Sequence, residues 1–161
     1  MSSEQLRRFH AAQEASHSGF AAALAELETT GKREHWIWYV FPQLVGLGVS
    51  AESKHYGIHG AEEATEYLQD PVLRARLIAV TKEVATKLQG GAVLTTLMGS
   101  KIDSLKLVSS MTLFEQVSAA LKTDDVSDEY AELAELATSV PTSAMAQGYA
   151  RCSFTLRQLK K

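Results

Sequence analysis

The 161-residue chain has one cysteine, Cys152, and only three prolines. A single cysteine excludes an intrachain disulfide and a thiolate cluster for zinc. It fits a reducing, cytoplasmic setting better than a secreted scaffold. The N-terminus, M-S-S-E-Q-L-R-R-F-H, lacks the apolar core of a secretory signal. The longest unbroken apolar run, Trp36 to Phe41, is far short of the roughly 20 residues needed to span a bilayer, so no membrane span is expected. Neither sign of charge dominates: 16 Lys and Arg stand against 19 Asp and Glu, for a formal net charge of −3. The two signs are interspersed, which argues against a general electrostatic grip on nucleic acid or an anionic membrane. What remains is an ordinary globular composition, 45% hydrophobic and 22% charged. A chain of this length buries about two-thirds of its unfolded surface, enough for one core and one domain.

Aromatics are also few, five Phe, five Tyr and two Trp, yet four of these twelve fall inside the six residues Trp36 to Phe41. The surrounding stretch, K-R-E-H-W-I-W-Y-V-F-P-Q-L-V-G-L-G from Lys32 to Gly48, has polar groups at both ends of an apolar centre. Each aromatic ring buries roughly 150–250 Å², so this stretch anchors the core and can also form one wall of a pocket. Its composition suits a strand, but it lacks polar alternation and Pro42 biases Phe41 away from helical angles. No partner strand is evident elsewhere, so a short helix over about 34–40 is predicted, followed by a long loop over 43–60.

The rest of the chain reads as helix. Ser2 and Gln5 form a capping-box pattern ahead of Leu6, Phe9 and Gln13. Ser16 or Ser18 can cap a second helix carrying Phe20, Leu24 and Leu27, which Gly31 ends. Ala61, Ala64 and Leu68 share a face, and Asp70-Pro71 then supplies an N-cap and a proline at N1. Leu73, Leu77, Val80, Val84 and Leu88 continue at helical spacing to Gly90-Gly91. A short helix spans 92–98. Asp103 or Ser104 caps a long one bearing Leu107, Met111, Phe114, Val117 and Leu121. Thr123-Asp124-Asp125 is a polar break before a helix with Tyr130, Leu133, Leu136 and Ala137, and the signal weakens after Pro141. A last helix begins near Cys152 and ends at Lys160-Lys161, the favourable sign for a helix C-terminus. There are no heptads and no repeats of fixed period. The prediction is an all-α, single-domain bundle of about six to eight helices.

Several motifs do not survive their context. Gly46-Leu47-Gly48-Val49-Ser50-Ala51 spells a dinucleotide fingerprint, but the mechanism needs a strand before it, a helix after it and a second strand beyond. His55 and His59 are four apart, yet Gly57 and Gly60 disfavour a shared helix there, and no thiolate or carboxylate joins them. No metal and no cofactor is expected. Lys106, Ser109 and Ser110 stand one turn apart on the long helix. Small hydroxyl residues there either let another helix approach or line a polar pocket. His35 beside two tryptophans is either a general acid or base tuned by burial, or a core histidine bonded to a backbone carbonyl.

Taken together, these strings resemble a known family. Phe9-x-x-Ala12-Gln13, Lys32, His35-Trp36-Ile37-Trp38-Tyr39-Val40-Phe41-Pro42-Gln43, Gly46-Leu47-Gly48, Tyr56-Gly57-Ile58, Glu63-Ala64-x-x-Tyr67-Leu68, Pro71-Val72-Leu73-x-x-Arg76-Leu77 and Lys106-x-x-Ser109-Ser110-Met111-Thr112-Leu113-Phe114 are similar to the bacterial and fungal domain of unknown function 1810. Some of its members carry the label calpastatin. The resemblance spans about residues 6 to 115. It implies the all-α fold of the mycobacterial members, with partly armadillo-like helix stacking, and it implies no activity. Gly148-Tyr149-Ala150-Arg151-Cys152-x-x-Thr155-Leu156-x-x-Leu159 resembles the family's closing segment, with Cys152 where an aspartate is usual. If that aspartate caps the last helix, its loss costs about 1 kcal/mol; if it serves a site, the site is altered in this chain.

Two functions follow as expectations. In the first, His35, Trp36, Trp38, Gln43, Tyr56, Lys106, Ser109 and Ser110 converge on a small-molecule pocket. Lys106 holds a phosphate or carboxylate, a tryptophan stacks on a ring and His35 is the candidate proton carrier. In the second, the aromatics are core and the helices form a protein-interaction module without chemistry.

Overall fold

A computed structural model describes residues 3–123 and 128–161. The expected cap at Ser2 and the break at Asp124-Asp125 lie outside the described residues. Ten helices are present among them: α1 Ser3–Gln13, α2 Phe20–Glu28, α3 Ile37–Val40, α4 Ala51–Tyr56, α5 Ala61–Gln69, α6 Pro71–Gln89, α7 Leu94–Met98, α8 Lys101–Leu121, α9 Glu129–Met145 and α10 Ser153–Leu159. The all-α class is as predicted, while the helix number exceeds six to eight. The described residues form no strand, only an isolated parallel bridge between Leu44 and Ile58.

The long α8 is the hub. It packs on α9, α5, α7, α10 and α3, while α6 packs on α9, α2 and α5. Leu107, Met111 and Phe114 on α8 are fully buried, as are Leu73, Val80 and Val84 on α6. Asp70 caps α6 as expected, its Oδ1 accepting from the Val72 and Leu73 N–H groups at 3.0 Å.

Elsewhere tertiary contacts move the boundaries. The helix expected over 34–40 shrinks to α3. The N–H groups of Arg33 and Glu34 donate to Glu26 Oε1, at 2.7 and 3.1 Å, and Lys32 N–H donates to Leu97 O at 2.7 Å. The segment before Trp36 is thus tied to α2 and α7. The loop expected over 43–60 contains α4, started by Ser50, whose Oγ accepts from Ser53 N–H at 3.1 Å. Ser100, not Asp103 or Ser104, caps α8 by accepting from Asp103 N–H at 3.0 Å. Neither Ser16 nor Ser18 caps α2, which starts after Gly19 with no side-chain cap; Ser18 O instead accepts the Tyr39 hydroxyl at 2.6 Å. Ala61 is exposed, and the buried face of α5 is Glu63, Ala64, Tyr67 and Leu68. Finally, α9 runs through Pro141 because Leu133, Ala137, Val140, Pro141 and Ala144 all lie in the interior, which offsets the roughly 3 kcal/mol a mid-helix proline costs.

Candidate functional site

The two tryptophans have different surroundings. Trp36 is fully buried. Its indole N–H donates to Glu26 Oε1 at 2.9 Å, Phe41 packs at 6.2 Å between ring centroids, and Lys32 Nζ lies 5.2 Å from the ring centre. Burial opposes the Glu26 carboxylate. The N–H groups of Arg33, Trp36 and Glu34 and the Lys32 charge outweigh it and hold the group below its ordinary range. Trp38 is only partly buried, and its indole N–H is shielded from solvent without a hydrogen-bond partner. Across its ring stands Lys106 of α8, with Nζ 4.9 Å from the ring centre.

Asp103 lies between two ammonium groups. Lys32 Nζ is 2.7 Å from Asp103 Oδ2, with its side chain only 5% exposed. Lys106 Nζ is 3.8 Å from Asp103 Oδ1 with its side chain 20% exposed. The carboxylate is thus drawn to Lys32. The Lys106 ammonium keeps a longer ion pair and a cation–π contact, and its three N–H donors make no hydrogen bond among the described residues.

The other predicted site residues divide into three groups. Gln43 and Tyr56 sit with Trp38, Ser53 and Gly57 around a cavity of about 10 Å³, room for a single water-sized molecule. Gln43 Nε2 donates to Leu47 O at 3.2 Å. Burial raises the Tyr56 hydroxyl above its ordinary pKa. Ser109, one turn after Lys106, is 8% exposed. Ser110 is fully buried with its hydroxyl unpartnered. His35 is exposed; its carbonyl accepts the Tyr39 hydroxyl at 3.2 Å, and its imidazole makes no hydrogen bond or ion pair among the described residues. The structure therefore joins Trp38 to Lys106 and sets Gln43 and Tyr56 beside Trp38, while the Trp36 indole bonds to Glu26, the Ser110 hydroxyl is buried without a partner and His35 is exposed.

Two larger hollows, each of about 270 Å³, lie elsewhere: one against Leu27, Thr30, Lys87, Thr96 and Leu97, the other against Thr65, Gln116, Leu121 and Leu159. Sequence reasoning missed the shared carboxylate Asp103, although its position three residues before Lys106 on a helix was a visible signal.

Where α10 meets α8, the Phe154 ring seats against Gly46. A Cβ at Gly46 would lie 3.0 Å from Phe154 Cζ, and its φ of +101° favours glycine in any case. Arg151 grips Glu115 with two bonds of 2.8 Å. Burial opposes the Glu115 carboxylate, but Arg151, joined by Thr138 and Gln116, outweighs it and lowers the pKa. The Cys152 N–H donates to Thr112 Oγ1 at 3.1 Å.

The frame is that of an all-helical protein organised on one long central helix, and no described helix is long and apolar enough to cross a membrane. The chain belongs to the family described as "Protein of unknown function (DUF1810)", which it matches over residues 3–150. It is also similar to the conserved hypothetical protein Rv1873 from Mycobacterium tuberculosis, known from a crystal structure at 1.38 Å. The identity is 33% with a TM-score of 0.79, covering 98% of this chain and 97% of that one. No curated protein matches the chain.

Proposed function

We propose that the face where Trp38 meets Lys106 binds a small molecule carrying a phosphate or carboxylate, with an aromatic or apolar body laid against the indole. The observation that carries this reading is the Lys106 ammonium, 4.9 Å from the Trp38 ring centre, with its nearest carboxylate 3.8 Å away and already engaged by Lys32 at 2.7 Å. A partly exposed cation with unused donors on an aromatic surface is a recognition element for an anion on a ring. Ser109 extends the polar strip by one turn, and Gln43 and Tyr56 support Trp38 from behind. Trp36 and Ser110 belong to the frame beneath, and the exposed His35 has no part in binding.

A thermal-shift series with inorganic phosphate, mononucleotides and aromatic carboxylates tests this. A ligand at 100 times its Kd adds roughly 2.7 kcal/mol, which is several degrees for a chain of this length. The shift should disappear in Lys106→Met and persist in Lys87→Met, whose ammonium lies elsewhere. No shift with any ligand, or a shift retained by Lys106→Met, overturns the proposal. The rival reading, a surface for a partner protein, has Ile102 and Leu105 in its favour, 66% and 47% exposed one turn apart on α8. Under it the whole series leaves the melting temperature unmoved.

A further inference from the structure

The outer face of α8 carries two aliphatic side chains that the fold leaves uncovered, Ile102 at 66% exposure and Leu105 at 47%. Counted from Ile102, the residues Leu105, Lys106 and Ser109 fall at i+3, i+4 and i+7, the spacing of a single helix stripe. The stripe changes character along its length. Its first turn is aliphatic, Lys106 then supplies an ammonium, and Ser109 supplies a hydroxyl where exposure has fallen to 8%. Ser104 and Leu107 beside it are turned inward, both at 0%. An isolated exposed aliphatic is ordinary, whereas neighbouring ones beside a cation mark a binding face.

Electrostatics select the sign of what covers this stripe. Lys106 Nζ lies 4.9 Å from the Trp38 ring centre and 3.8 Å from Asp103 Oδ1. Asp103, the acidic residue of this turn, is drawn to Lys32 at 2.7 Å. Lys101, exposed one turn before Leu105, adds a second positive charge at the edge. An anionic head is therefore attracted to Lys106, and the body attached to it meets Ile102 and Leu105. Lys106 and Ile102 are separated by a rise of about 6 Å, at 1.5 Å per residue, which is the reach of a short alkyl chain. A flexible chain covers both aliphatics, which a flat ring held on the indole leaves in water.

We propose that the ligand of the Trp38 and Lys106 face is a single-chain anionic amphiphile, free in solution, with a phosphate or carboxylate head. The head pairs with Lys106, the first carbons of the chain pass the Trp38 indole, and the rest of the chain lies along Ile102 and Leu105. This rests on the ligand reading above and narrows it. Ile102 and Leu105 are then part of the small-molecule site, and their exposure is the exposure of an open binding face.

Calorimetric titration of the full chain with methyl, butyl and hexyl phosphate, each kept monomeric, and with a mononucleotide tests this. Full burial of a methylene is worth about fourfold in affinity, and an open helix face covers about half of it, so each added methylene should tighten binding about twofold. From methyl to hexyl phosphate the gain is then on the order of thirtyfold. The double variant Ile102→Ser/Leu105→Ser, changed only at exposed positions, should keep its melting temperature and bind hexyl phosphate no better than methyl phosphate. Lys106→Met should lose all three. Binding of methyl phosphate or the mononucleotide with no gain from chain length overturns this proposal and leaves the ligand reading standing. A gain that survives in the double variant does the same. If none of the four ligands binds, this proposal falls, and the ligand reading falls with it only where the thermal-shift series is flat as well. Vesicles of phosphatidylserine and phosphatidylcholine should leave the chain in the supernatant on sedimentation; cosedimentation makes the stripe a membrane contact and overturns the proposal.

Discussion

Glu26 ties three N–H donors of the segment leading into α3 to one carboxylate oxygen, and its pKa is lowered in the folded protein. A carboxylate whose folded pKa is depressed contributes stability that is complete above its unfolded value of about 4.3 and is lost as pH falls through the folded value. The urea midpoint should therefore hold steady from neutral pH to about pH 5 and then fall. Glu26→Gln keeps an acceptor oxygen but no charge, so it should lower the midpoint at neutral pH and flatten the acid limb. Part of that limb should remain, because Asp70 and Glu115 are depressed as well. An unchanged pH profile in Glu26→Gln would contradict this role. Cys152 gives a second prediction. It precedes α10 at the N-cap with no side-chain cap bond, so Cys152→Asp, supplying an acceptor for the first-turn N–H groups, should add about 1 kcal/mol. That raises the melting temperature by roughly 2–4 °C, as calorimetry can measure.

Among the elements, those whose ends are set by local chemistry were legible in the sequence. Asp70 with Pro71 states where α6 begins, and its leucines and valines at 4, 3, 4, 4 spacing keep one face inside. Ends set by distant contacts were not. Before Trp36 the donors on Arg33 and Glu34 turn to Glu26 rather than continuing a helix. Helix α4 was hidden by the glycines that flank it, Gly46, Gly48, Gly57 and Gly60, which read as loop. Yet Gly57 ends α4 for a packing reason: a Cβ there would lie 2.7 Å from Val45 Cα and 2.8 Å from Ser53 O. Both are backbone atoms, so Gly57→Ala should cost at least the roughly 1–3 kcal/mol of ordinary overpacking. Ser100→Ala, which removes the observed cap of α8, should cost roughly 0.5–2 kcal/mol. Equilibrium urea unfolding of the two variants checks both values.

At the scale of the whole molecule, the sequence supplied the helical class and the polar residues of the candidate site, but not which of them meet. Trp38 and Lys106 are 68 positions apart, and no periodicity joins them; only the packing of α3 on α8 does. The same holds for the ion pair that joins α1 to α5. Arg8 of α1 donates to Glu63 Oε1 of α5 at 2.9 Å and to Gly57 O at 3.0 Å, while His59 N–H donates to that same Glu63 oxygen at 2.9 Å. Glu63 is 3% exposed and Arg8 stacks on Phe9 at 4.3 Å, so α1, α5 and the 57–59 turn are locked at one point. Removing one partner of a buried pair leaves an uncompensated charge, and Arg8→Met should cost about 3–5 kcal/mol. Glu63→Gln relieves the stranded charge while keeping an acceptor for His59 N–H, so the double variant Arg8→Met/Glu63→Gln should recover a large part of the loss. Urea unfolding of the wild type, both single variants and the double variant gives the coupling energy, expected within about 0.5–3 kcal/mol. Strict additivity of the two substitutions would mean that helix packing alone, and not the ion pair, holds α1 against α5.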